Sequence, residues 1–109
     1  MFGLFGKKTD FMTLLQEAKG SKDAVVIDVR EPDEYMQGHV PGSINIPTSQ
    51  INTVNYAKDT PLYLYCLSGG RSKMAMGFLE QKGFQNVKNM GAIGQYQGCL
   101  LYTSDAADE

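Results

Sequence analysis

The chain has 109 residues, enough for one domain that buries roughly two-thirds of the surface its unfolded form exposes. Ten basic residues against twelve acidic ones leave a formal charge of −2 with no run rich in Lys or Arg, so composition carries no electrostatic footprint for nucleic acid. Cys66 and Cys99 are too few for a disulfide framework, and no stretch reaches the roughly 18 consecutive apolar residues of a membrane-spanning helix.

In Met1-Phe2-Gly3-Leu4-Phe5-Gly6-Lys7-Lys8 the charges follow a short apolar patch, the reverse of a secretory signal. The expectation is a cytoplasmic protein whose reducing surroundings keep Cys66 a thiol. Phe11, Leu14, Leu15 and Ala18 then form a helical stripe that stops at Gly20. Ala24-Val25-Val26-Ile27 reads as a strand. Glu31 to Gly38 carries helix punctuation, with Pro32 in the first turn and Gly38 at the C′ position. Ser43-Ile44-Asn45-Ile46 and Leu62-Tyr63-Leu64-Tyr65 read as two more strands, the latter apolar at successive positions like a strand covered on both faces. From 71 to 82 a helix is expected, with Met74, Ala75, Phe78 and Leu79 as its apolar face, Lys82 at its C-terminal dipole and Gly83 as its stop. This alternation predicts an α/β fold, a central mainly parallel sheet flanked by helices on both faces. The scattered Met12, Met36, Met74, Met76 and Met90 read as core filler. Residues 99–109 show no period and end in small and acidic side chains. They read as a tail foreign to a single domain over 1–98, and of disordered character.

The chemistry concentrates in Tyr65-Cys66-Leu67-Ser68-Gly69-Gly70-Arg71-Ser72, a glycine-containing loop between a buried strand and a helix N-terminus. Backbone N–H groups from Leu67 to Arg71 are expected to curl around the Cys66 sulfur, lowering its pKa and making it a nucleophile. Gly69 and Gly70 permit such a cradle, because converging amides need φ > 0 or close backbone approach, and a β-branched residue at either position is expected to damage it. Ser68 and Ser72 add hydroxyl donors. A lone cysteine after an apolar strand is more often a small buried hydrophobe; the Ser-Gly-Gly-Arg-Ser that follows favours the nucleophile. Arg71 has two readings, an attractor of anionic donors or an ion pair with Asp28 or Glu34. His39, the only histidine, sits in a Gly-His-Val-Pro-Gly turn that would use its ring for local hydrogen bonds rather than for Cys-His hydrolysis. Asp28 would brace neighbouring backbone, while Arg30 and Glu31 stand equally as a surface pair or a wall of the site.

Three blocks now stand in order: Val26-Ile27-Asp28-Val29-Arg30-Glu31, then Gly38-His39-Val40-Pro41-Gly42-Ser43-Ile44-Asn45-Ile46-Pro47, then Tyr65-Cys66 through Arg71-Ser72. With this spacing the chain resembles the rhodanese-like family of sulfurtransferases over roughly residues 25–96. Met90-Gly91-Ala92-Ile93-Gly94-Gln95-Tyr96 resembles the family's closing Gly-Gly-x-x-x-Trp-like segment, with Ala92 and Tyr96 in place of the usual residues. The resemblance implies Cys66 as the sulfur-carrying catalytic residue and Leu67, Ser68, Gly69, Gly70, Arg71 and Ser72 as its anion cradle. Asp28, Arg30 and His39 would play supporting roles. It implies no metal or organic cofactor, a small-molecule sulfur donor such as thiosulfate, and a thiophilic acceptor, with a sulfur-relay protein as a further partner; composition and the absence of a long apolar run give the expectation of neither nucleic acid nor membrane as a partner. A persulfide carrier or interaction module in sulfur trafficking is the alternative. A cysteine phosphatase needs five residues between Cys and Arg; the four here make a ring too tight for a phosphoryl group. A thioredoxin-like reading fails because no second cysteine follows Cys66 at the required spacing.

Overall fold

The computed structural model describes residues 10–102. Helix α1 (Phe11–Lys19) starts where the Asp10 carboxylate accepts the Thr13 N–H at 2.9 Å, and it buries the expected Phe11, Leu14, Leu15 and Ala18. It is followed by β1 (Val25–Asp28), α2 (Pro32–Met36), β2 (Ile44–Asn45), a 3₁₀ helix (Thr48–Thr53), β3 (Leu62–Cys66), α3 (Gly70–Gln81), β4 (Val87–Ala92) and a second 3₁₀ turn (Ile93–Gln95). The sheet order is β2-β1-β3-β4 and every pair is parallel.

β3 is buried at all five positions, which is why its sequence shows an apolar run instead of alternation. Its pleat divides the core in two. Leu62, Leu64 and Cys66 pack with Ala75 and Leu79 of α3, whereas Tyr63 and Tyr65 pack with Phe11, Leu14 and Leu15 of α1. The sheet therefore carries helices on both faces, and Cys66, the last residue of β3, falls on the α3 side. The chain leaves β1 for β2 on one flank and returns to β3 on the other, so the carboxyl ends of β1 and β3 form the topological switch point where α/β sheets open a crevice. Asp28 and Cys66 end those two strands.

The structure corrects several expectations. β4 is a strand that the sequence reading did not contain, because its only buried positions are Val87 and Met90 and its register with β3 shifts between Leu64 and Tyr65, which destroys the period of two. The apolar face expected on α3 is only half covered: Ala75 and Leu79 are buried, while Met74 is 78% exposed and Phe78 37% exposed. Among the methionines, Met90 is a core residue, but Met36 and Met74 are exposed. Part of the stretch expected as a tail from residue 99 makes contacts with the domain. Leu101 exchanges backbone hydrogen bonds with His39 at 2.9 and 2.8 Å, and Leu100 packs against the core on the α1 face. The remainder of that tail, residues 103–109, lies outside the described residues.

A chain ended at Gly98 should melt below one ended at Tyr102, by about 4–8 °C for each kcal/mol that the strand pairing and the Leu100 contact supply. Thermal denaturation of the two truncations checks this; equal melting temperatures would mean the fold is complete at Gly98.

Candidate active site

Gly69 sets the geometry of the loop after β3. It holds φ +98 and ψ −14, left-handed backbone that costs a residue with a Cβ about 1–2 kcal/mol, and this turn swings its N–H back onto Cys66 Sγ at 2.9 Å. Gly69 is also the N-cap of α3 and has no side chain with which to cap it. The sulfur takes that place. The N–H of Ser72, an orphan donor of the helix's first turn, points at Sγ at 3.4 Å, and the Ser72 hydroxyl lies at the same distance. Burial pushes the Cys66 thiol pKa up, but the Ser72 hydroxyl and the N–H groups of Ser72, Gly69 and Ser68 outweigh it and hold the thiol below its ordinary value. Gly69 and Ser72 make the hydrogen bonds to the sulfur at 2.9 and 3.4 Å, and the Ser68 N–H adds to them. Cys66 itself is 0% exposed, so its sulfur is closed off from solvent in this structure.

Arg71 takes the ion-pair alternative. Its Nη1 and Nη2 donate to Glu34 Oε1 and Oε2 at 2.8 and 3.1 Å, and this pairing holds the Glu34 carboxyl down to about 2 against the effect of burial. Glu34 Oε1 also accepts the Glu31 N–H at 2.9 Å in a capping box at the start of α2, which fixes the carboxylate that fixes Arg71. Asp28 pairs instead with Arg30, whose Nε lies 3.0 Å from both carboxylate oxygens and whose Nη2 reaches Asp28 Oδ2 at 2.6 Å and the Gly38 carbonyl at 2.7 Å. Both are buried, so Arg30 is not half of a surface pair with Glu31. His39 stacks on Tyr35 with ring centroids 3.7 Å apart, and its Nδ1 donates to the Tyr35 carbonyl at 2.9 Å. It serves the local hydrogen bonding expected of its turn.

Two hollows flank the loop. One, of about 530 Å³, lies between α3 and the Thr48–Thr53 helix and is lined by Ile51, Arg71, Met74 and Phe78. The other, of about 270 Å³, is lined by Arg30, Glu34, Leu67 and Leu100. The Arg71–Glu34 pair thus links a wall of each. Among the described residues no group of three or more His, Cys, Asp or Glu side chains converges as metal ligands would. Sequence reasoning missed one polar residue at the loop, Asn89 of β4, whose Oδ1 lies 2.6 Å from Ser72 Oγ. The signal available was an amide side chain two residues before a glycine.

The Rhodanese-like domain model matches residues 12–97. The chain belongs to that family. A putative mitochondrial thiosulfate sulfurtransferase of Schizosaccharomyces pombe is 35% identical over 107 residues, covering 84% of this chain and 71% of that protein. The putative sulfur carrier protein YrkF of Bacillus subtilis is 33% identical over 79 residues, covering 69% of this chain and 42% of the carrier. Among solved structures, a rhodanese with anions from E. coli superposes with a TM-score of 0.67 at 31% identity, covering 73% of this chain and 99% of that one. Relatives of this rhodanese-like chain are thus named as sulfurtransferases and, in one case, as a putative sulfur carrier.

The two loop glycines of this rhodanese-like domain should respond differently to substitution. Gly69→Ala meets ordinary contacts around a new Cβ but strains the backbone, whereas Gly70, at negative φ in the first turn of α3, has open space there. Denaturant unfolding should show Gly69→Ala destabilised by about 1–2 kcal/mol and Gly70→Ala unchanged or stabilised by up to about 1 kcal/mol. Equal costs at the two positions would contradict this geometry.

Proposed function

We propose that this rhodanese-like protein is a sulfurtransferase that moves a sulfane sulfur from a donor such as thiosulfate to a thiophilic acceptor through a persulfide on Cys66. The observation that carries the reading is the convergence of the Gly69 and Ser72 N–H groups on Cys66 Sγ at the start of α3. In the first step the Cys66 thiolate attacks the outer sulfur of thiosulfate. The sulfur–sulfur bond of the donor breaks, and sulfite leaves with the bonding pair. In the second, a nucleophile such as cyanide attacks the outer sulfur of the persulfide, forming thiocyanate and returning the thiolate. The two half-reactions make ping-pong kinetics the expected pattern. Sulfur carries negative charge before, between and after the steps, so a fixed set of donors serves throughout. A single well-placed donor to developing charge is typically worth roughly 3 to 4 kcal/mol. No metal or organic cofactor enters this scheme. A reducing, cytoplasmic setting fits a protein that works through a thiolate, and among the described residues no helix is long and apolar enough to cross a membrane.

One observation favours a second reading, a persulfide carrier supplied by a partner protein. Arg71, the cation at the end of the loop, is engaged by both oxygens of Glu34, which leaves a small dianion less to pair with. The named carrier among the relatives is consistent with this.

Incubation with thiosulfate followed by intact-mass measurement separates the two. The transferase reading expects one added sulfur on the wild type, none on Cys66→Ala, and its removal by cyanide. A wild type left unmodified by thiosulfate but loaded by a protein persulfide would overturn it in favour of the carrier.

A further inference from the structure

β4 is irregular opposite the end of β3. Leu64 pairs with Asn89 but Tyr65 pairs with Gly91, so Met90 is an extra residue and the strand bulges there, with Gly91 at φ +107 taking up the bend. The bulge brings the Gly91 N–H onto Asn89 Oδ1 at 3.0 Å. On the loop side the same Oδ1 lies 2.6 Å from Ser72 Oγ, and Nδ2 donates to the Gly69 carbonyl at 3.2 Å. A backbone N–H on one end of the amide and a backbone carbonyl on the other fix which end is the oxygen.

We propose that Asn89 is a positioning residue for the Cys66 thiolate, clamping to β4 the two residues, Gly69 and Ser72, whose donors hold the sulfur. The proposal rests on the reading of Cys66 as nucleophile. The Ser72 hydroxyl has one proton and three acceptors within reach: Asn89 Oδ1, the Gly69 carbonyl at 3.1 Å and Cys66 Sγ at 3.4 Å. With Cys66 a thiol, its S–H donates to Ser72 Oγ and the hydroxyl donates to Asn89. When the thiol proton passes to a base in solvent, the hydroxyl turns to the sulfur and Asn89 Oδ1 keeps the Gly91 N–H. Both states of the sulfur then leave the network satisfied, and the Ser72 oxygen stays in place between them. An aliphatic side chain at 89 removes the clamps on the Gly69 carbonyl and on Ser72 Oγ, so the donors of both residues lose their fixed aim at the sulfur.

The test is the rate at which iodoacetamide alkylates Cys66 as a function of pH, in the full chain with Cys99→Ser so that a single thiol reports. Asn89→Leu should be alkylated roughly three- to tenfold more slowly at pH 7, the loss of about one hydrogen bond to the anion, and should regain the wild-type rate at high pH where the thiol ionises unaided. A role confined to holding the fold would lower the melting temperature and leave this profile in place. A folded Asn89→Leu variant with the wild-type profile overturns the proposal. Should that variant not fold, Asn89→Asp keeps the shape and the acceptor but swaps the donor to Gly69 for a negative charge. It should be slower than wild type at pH 7, and an unchanged rate again overturns the proposal. Alkylation requires no sulfur donor, so a wild type that takes no sulfur from thiosulfate would sink the transferase reading and leave this test standing.

Discussion

A sulfur anion at the buried end of a sheet strand has to find its hydrogen bonds in the protein, because it is fully covered in this structure and an unpaired charge there would simply protonate. Cys66 meets that requirement through a single backbone device. Gly69 turns left-handed, which aims its own N–H at the sulfur and starts α3 so that the Ser72 N–H and hydroxyl arrive from the other side. The same sulfur then occupies the place of the missing N-cap side chain, so the anion and the helix terminus satisfy one another. Much else follows from this arrangement. β3 must end at Cys66 for the turn to begin, the pleat must put Cys66 on the α3 face, and β4 must come close enough for Asn89 to reach the turn.

Two charged pairs near the loop are matched within themselves. Asp28 and Arg30 form a buried pair that ties the end of β1 to the Gly38 carbonyl, and Arg71 is held by Glu34 across from α2. Removing one partner of a buried pair typically costs about 3–5 kcal/mol, so the Asp28–Arg30 pair is best understood as architecture. The groups that hydrogen-bond the sulfur are oriented dipoles, the Gly69 and Ser72 N–H groups and the Ser72 hydroxyl, and not a side-chain cation.

The parts of the fold legible in the sequence were those where burial writes directly on residue type. Val25 to Ile27 and Leu62 to Tyr65 are apolar because both faces are covered, and Gly20 and Gly83 mark helix ends. Cys66, Gly69 and Ser72 were legible as a unit because few local structures need a cysteine, glycines and a helix start so close together. β4 was not, since a bulge and the polar Lys88 and Asn89 erase its pattern. Met74 and Phe78 look like core by spacing, yet α3 meets the sheet along Ala75 and Leu79 and turns them outward. The direction of the Arg71 guanidinium depended on Glu34, 37 residues away, and the role of Asn89 depended on Ser72 and Gly69, 17 and 20 residues away. Such long-range pairings leave no local trace.

The ionisation of Cys66 itself is the most direct measure of this account. The thiolate absorbs in the ultraviolet where the thiol does not, and subtracting the titration of Cys66→Ala from that of the wild type isolates this one sulfur from Cys99. Because the folded state favours the anion, the thiolate should persist as pH falls below the ordinary thiol midpoint of 9.0 and be lost only at lower pH. A midpoint at or above that value would mean that burial outweighs the amides of Gly69 and Ser72, and would contradict the account.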